Sequence, residues 1–137
     1  MLSFIILFTA GYNACYFMNS MRHHQKGVEY YAEVHTTRQN IAAHVVGMPF
    51  TIYGMLLWLP ALFWYTLENA WRMQCGLYFL YLGHYIRINR ETALVYLLMY
   101  TPPLILSIRH YTPGFGGFMR GSLISTSALA FQEYVGH

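Results

Sequence analysis

The chain contains no aspartate and few charged residues of any kind. Only 9% of its 137 residues are Asp, Glu, Lys or Arg, whereas 56% are hydrophobic and 18% are aromatic. Soluble domains carry charge on about a quarter of their residues, so this composition favours a membrane protein. Without aspartate a Ser-His-Asp triad is excluded. The net charge of +3 is spread without a basic run, so no nucleic-acid binding is predicted.

Cysteine is scarce, and the common catalytic motifs are missing. Cys15 and Cys75 lie in apolar surroundings without a Cys-x-x-Cys pair, which indicates small buried side chains rather than a disulfide or zinc site. The sequence lacks the motifs of zinc proteases, serine hydrolases, P-loop proteins and dinucleotide-binding proteins. No Lys or Arg precedes the first apolar run, which favours a retained segment over a signal peptide.

Apolar runs separated by short polar stretches make up most of the chain. The runs cover residues 2–18, 47–67, 73–86, 92–108 and 121–135. At about 1.5 Å per helical residue, the second run matches the thickness of a bilayer, whereas the third is short. The sequence therefore predicts one all-α domain over residues 1–137, a polytopic transmembrane helical bundle with four to five membrane segments. Pro102 and Pro103 are expected to kink the fourth run, and the glycine-rich residues 109–120 are expected to form a loop.

The basic residues give a weak indication of orientation. If the runs alternate across the membrane, five Lys and Arg residues lie on one side and three on the other, which favours a cytosolic location for the larger group. The same threading gathers four histidines at the cytosolic face. They are His35, His44, His84 and His137.

The polar stretch before the second run predicts a helix start between two of these histidines. His35 and His44 are nine residues apart, so on one unbroken helix they would point in opposite directions. Thr36 and Gln39 fit a capping box, which predicts that a helix begins there and that His35 lies just outside it.

Three residues of this stretch are then expected to share one helix face. Asn40, His44 and Gly47 follow one another at intervals of one turn. Pro49 is expected to end this polar helix or to open the next. Two imidazoles with an amide between them form a partial metal site, since imidazole binds Fe, Zn and Cu. A single histidine is more often structural. Glu133, inside the last run, either faces this polar site or extends towards the water near the membrane end, and the first is the prediction.

The motif Tyr31-x3-His35-x4-Asn40-x3-His44-x2-Gly47-x-Pro49 resembles the opening signature of a family of small multi-pass membrane proteins. The characterised fungal member of that family is an endoplasmic-reticulum 2-hydroxy-fatty-acid dioxygenase. A second family signature, aromatic-small-Gly-His, is similar to Tyr134-Val-Gly-His137, although the Phe-Glu and Pro-Ala that follow it in the family are not in this sequence. Gly83-His84 is similar to the same signature but comes earlier in the chain.

The resemblance implies a membrane enzyme of the endoplasmic reticulum that uses Fe(II) and O₂ to shorten 2-hydroxy fatty acids by one carbon. The implied iron ligands are His35, His44 and His137, with His84 as an additional candidate. Asn40 would hydrogen-bond a ligand or the substrate, and Arg38 would pair with the substrate carboxylate.

Two alternatives remain at this point. In the first alternative the chain is a non-catalytic accessory subunit that binds no cofactor. It would belong to a larger membrane assembly, such as a respiratory complex of the mitochondrial inner membrane. A third reading is a bis-histidine haem b protein that uses His84 together with His44 or His137.

Overall fold

The structure, a computed structural model, describes residues 37–136. These residues form four α-helices and no strand, in agreement with the predicted all-α class. The helices are α1 (Arg38–Leu62), α2 (Leu67–Ile88), α3 (Arg90–His110) and α4 (Gly114–Gly136). The predicted first run, residues 2–18, lies outside the described residues, as do His35 and His137.

Two of the helices, α1 and α3, are long and apolar enough to cross a membrane by length and composition. The other two described helices do not meet that standard. Within residues 37–136 the structure thus supports a membrane protein with two candidate spans, and the predicted four to five segments stay a prediction.

The first helix begins one residue later than the predicted capping box. Thr37, not Thr36, is the N-cap, and its hydroxyl accepts a hydrogen bond from the backbone N–H of Asn40 at 3.2 Å. The Gln39 side chain does not fold back onto the cap. It donates instead to the carbonyl of Val135 in α4, at 3.3 Å.

The prediction that Pro49 ends or opens a helix is wrong, because α1 runs unbroken through Pro49 and Pro60. Proline has no N–H and leaves the carbonyl four residues earlier without its helical donor. For Pro60 that carbonyl belongs to Leu56, and it accepts a hydrogen bond from Gln74 Nε2 of α2 at 2.9 Å. Gln74 is fully buried, so a side chain from the neighbouring helix replaces the missing backbone donor.

The glycine-rich residues 109–120 are mostly helical, contrary to the predicted loop. The connection between α3 and α4 is only three residues long, because α4 already begins at Gly114, whose φ is +80°. A side chain at Gly117 would overlap the carbonyl of Thr112. The glycines therefore allow a tight turn and a close approach rather than an extended loop.

Helix α1 lies at the centre and contacts the other three helices, while α4 packs along α1. The two run antiparallel, since Gln39 bonds Val135 at one end and the Trp58 ring meets Phe118 at the other. Small residues line this seam: a side chain at Gly54 would come within 2.6 Å of the Ser125 nitrogen. An aliphatic and tyrosine core joins α1, α2 and α3, and consists of Ile52, Leu56, Tyr78, Tyr96, Tyr100 and Leu104.

Candidate functional site

The predicted polar face of α1 is directed towards α4. Asn40 is 2% exposed, His44 is half-buried one turn later, and Gly47 is buried another turn on. A side chain at Gly47 would collide with that of Gln132 in α4. The prediction that these three residues share a face is confirmed, and the lack of a side chain at Gly47 makes room for an α4 residue beside His44.

That α4 residue is Gln132, which is 2% exposed and forms three hydrogen bonds. Its oxygen, Oε1, lies 2.9 Å from His44 Nδ1. Its nitrogen, Nε2, donates to Thr51 Oγ1 at 2.8 Å and to the Ala128 carbonyl at 3.1 Å. One amide therefore joins two polar positions of α1, almost two turns apart, to the backbone of α4.

These bonds determine which nitrogen of His44 carries the proton. A backbone carbonyl only accepts, so the Gln132 atom facing Ala128 must be the NH₂ group and the atom facing His44 must be the carbonyl oxygen. The Thr51 hydroxyl donates to the Gly47 carbonyl at 3.1 Å, which leaves its oxygen to accept from Gln132. His44 Nδ1 must then be the donor, and in neutral His44 the lone pair lies on the buried Nε2.

The prediction that Glu133 faces this polar site is wrong. Glu133 is exposed, and its neighbour Gln132 occupies the inward position. Successive helical residues point about 100° apart, so only one of the two can face α1. The sequence carried a usable signal: Gln132 follows Gly121, Ser125 and Ala128 at intervals of three and four, which extends the small-residue face of α4. Thr51 was missed together with Gln132.

The other predicted site residues are less enclosed. Arg38 is exposed in the first turn of α1, next to the Gln39 bond that ties this end of α1 to α4. His84 is half-buried on α2, with its ring centre 5.8 Å from that of Tyr85. Four residues join α1 to α2, and the Leu56 carbonyl near the end of α1 accepts from Gln74 in the first half of α2. The two helices therefore run antiparallel, and His84 and His44 belong to the same end of the bundle.

Convergence of the histidines on one ion stays a prediction. Within residues 37–136, no three His, Cys, Asp or Glu side chains lie close enough together to hold a metal ion. The predicted set includes His35 and His137, which are outside that range. His44 and Gln132 are the part of the predicted site that the structure describes in detail.

Comparison with known proteins yields no relative of this chain. No family model matches the sequence, no curated protein is similar to it, and no solved structure matches it.

Proposed function

We propose that the chain is an Fe(II)-dependent dioxygenase of 2-hydroxy fatty acids, located in the membrane of the endoplasmic reticulum. Two lines support the proposal. The His-Asn-His motif of residues 35–44 resembles the signature of that family, and the side chains of Asn40, His44 and Gln132 form a buried polar seam between α1 and α4.

The arrangement of His44 carries the proposal, because it has the form of a metal ligand. Histidines that bind metals commonly donate their second ring N–H to a carbonyl or carboxylate, which holds the ring and raises its basicity. His44 donates Nδ1–H to Gln132, so in the neutral ring Nε2 is the nitrogen that would bind a metal. His35 and His137, together with His44, would hold the iron, and His84 is an additional candidate. Bound Fe(II) would supply the activation of O₂.

The remaining residues of the site would bind and orient the substrate. Arg38 offers a guanidinium at the open end of the seam, which suits the carboxylate of a 2-hydroxy acid. Asn40, buried on the His44 face, would hydrogen-bond the ligand or the substrate. The apolar helices would accommodate the acyl tail within the bilayer.

Turnover of a defined substrate tests the proposal. Purified protein supplied with Fe(II), O₂ and a 2-hydroxy fatty acid should form the fatty acid shortened by one carbon, and omission of O₂ should abolish the product. His44→Ala should lose the activity. Full turnover by a folded His44→Ala protein would refute the proposal, as would the absence of any O₂-dependent product from the wild-type protein.

A non-catalytic subunit of a larger membrane complex, for example in the mitochondrial inner membrane, is the second candidate. Large apolar side chains on α3 are exposed, with Leu94 at 59%, Val95 at 53% and Leu98 at 77%. Such a surface fits the helices of a partner protein as well as it fits lipid. Iron-free protein that co-purifies in fixed stoichiometry with a membrane complex would favour this candidate over the enzyme.

A further inference from the structure

A second polar cluster joins three helices, and it lies away from His44. It consists of Tyr53 on α1, His110 at the end of α3 and Arg120 on α4. The Tyr53 hydroxyl is 3.0 Å from His110 Nδ1. Arg120 Nη2 is 3.4 Å from the Tyr53 hydroxyl and 3.2 Å from the His110 carbonyl. Tyr53 follows His44 by nine residues, so the two side chains leave α1 on opposite sides.

The hydrogen bonds of this cluster leave donors for a ligand. A guanidinium only donates, so the Tyr53 oxygen accepts from Arg120. The Tyr53 hydroxyl also shares a hydrogen bond with His110 Nδ1. Both His110 and Arg120 are exposed. The cluster thus offers further guanidinium N–H groups and the second ring nitrogen of His110 on an accessible surface.

Positive charge at this end of the bundle is poorly balanced. Arg120 is bonded to a hydroxyl and a carbonyl but forms no ion pair with any residue in the 37–136 range. Arg109 and Arg72 are exposed on the same end, and among residues 37–136 the acidic side chain there is that of Glu68. An anion that accepts hydrogen bonds would compensate this charge.

Exposed aromatic residues indicate where this end would lie in a bilayer. Phe63, Trp64 and Tyr65 form the turn after α1, and Trp64 is 73% exposed. Trp71 is 47% exposed with the Arg72 guanidinium 5.6 Å from its ring centre, and Phe115 is 65% exposed. Aromatic side chains of this kind collect at the level of the lipid headgroups. The most abundant anions at that level are lipid phosphates.

We propose that Tyr53, His110 and Arg120 form a binding site for the phosphate of an anionic membrane lipid, separate from the seam that contains His44. Arg120 would supply the charge and a forked set of donors, which matches a phosphate. Tyr53 would hold Arg120 and His110 in place from α1. The proposal does not depend on the iron chemistry, because none of its three residues belongs to the His44 seam.

Lipid binding by the purified full chain tests the proposal. The probes are phosphatidylcholine vesicles with and without phosphatidic acid, and inorganic phosphate alone. Wild-type protein should bind the phosphatidic acid vesicles more tightly, and Arg120→Gln should weaken that preference about tenfold, the loss expected for a hydrogen bond to a charged group. Arg90→Gln makes the same charge change at the other end of the bundle and should leave the preference unchanged.

Several outcomes would overturn the site. The site would be refuted if wild-type and folded Arg120→Gln protein preferred phosphatidic acid vesicles equally. It would also be refuted if Arg90→Gln weakened that preference as much as Arg120→Gln does. If inorganic phosphate alone bound as tightly as the phosphatidic acid vesicles, the assignment to a membrane lipid would be refuted. If Arg120→Gln does not fold, the wild-type protein still decides, because its preference should fall as salt concentration rises. A preference that is independent of salt would contradict a phosphate site.

Discussion

At the scale of single residues, the Gln132 side chain links α4 to two turns of α1. It satisfies His44 Nδ1, Thr51 Oγ1 and the Ala128 carbonyl in a buried position. Replacement by leucine keeps the bulk but leaves the His44 N–H without its acceptor. Since an unsatisfied buried polar group costs about 1–3 kcal/mol, Gln132→Leu should lower the free energy of unfolding by about 2 kcal/mol. Denaturation in detergent measures this change.

The neighbouring residue provides the control for that experiment. Glu133 is exposed, so Glu133→Gln should change the free energy of unfolding by less than about 0.5 kcal/mol. A larger loss from Glu133→Gln than from Gln132→Leu would mean that α4 is rotated from the orientation described above.

A double-mutant cycle tests whether the Gln74 side chain replaces the backbone N–H that Pro60 lacks. Gln74→Leu removes the donor to the Leu56 carbonyl and should cost about 1 kcal/mol. In a Pro60→Ala background the restored backbone N–H bonds that carbonyl, so Gln74→Leu should cost much less. The two substitutions should therefore be coupled by about 1 kcal/mol in unfolding experiments. Strict additivity would show that Gln74 does not replace the proline donor.

At the scale of helices, glycine controls the separation of α1 and α4. A side chain at Gly54 would lie 2.6 Å from the Ser125 nitrogen and 2.7 Å from the Gly121 carbonyl, which are backbone atoms that cannot turn aside. Gly54→Ala should force the helices apart and lower the free energy of unfolding by about 1–3 kcal/mol. A change in the melting temperature of the purified protein reports the effect.

Gly76 on α2 is the matched control for the same substitution. Nothing lies within 4 Å of a side chain built there, and the residue is exposed. Gly76→Ala should raise stability by about 0.5–1 kcal/mol, because alanine favours helix more than glycine does. If both substitutions stabilise the protein, α1 and α4 are not in close contact at Gly54.

The helices could be predicted from the sequence more easily than their mutual orientation. Apolar runs located all four described helices, although only α1 and α3 are long and apolar enough to cross a membrane. The helix ends were predicted less accurately. The glycines from Gly114 onward indicate a loop when read from the sequence, whereas the structure shows that a side chain at Gly117 would overlap the Thr112 carbonyl. Spacing alone places Asn40, His44 and Gly47 on one face of α1. Whether Gln132 or Glu133 faces α1 depends instead on how α4 is rotated against α1, which the sequence does not specify.

At the scale of the whole molecule, α1 connects two polar sites that differ in character. The seam of His44 and Gln132 is buried, near the end of the bundle where α1 begins. The cluster of Tyr53, His110 and Arg120 is exposed and basic. Much of the remaining exterior is apolar, as expected for a protein that faces lipid or partner helices. We propose redox chemistry at the first site and lipid recognition at the second.

The iron content of purified protein decides whether His44 is a metal ligand. Wild-type protein loaded with Fe(II) should retain iron, and His44→Ala should lose it. Ser107→Ala, which removes a fully buried hydroxyl group on α3, should retain iron like the wild type. Elemental analysis after desalting gives the answer, with helical circular dichroism to confirm folding. A folded His44→Ala protein with the iron content of the wild type would show that His44 does not bind iron.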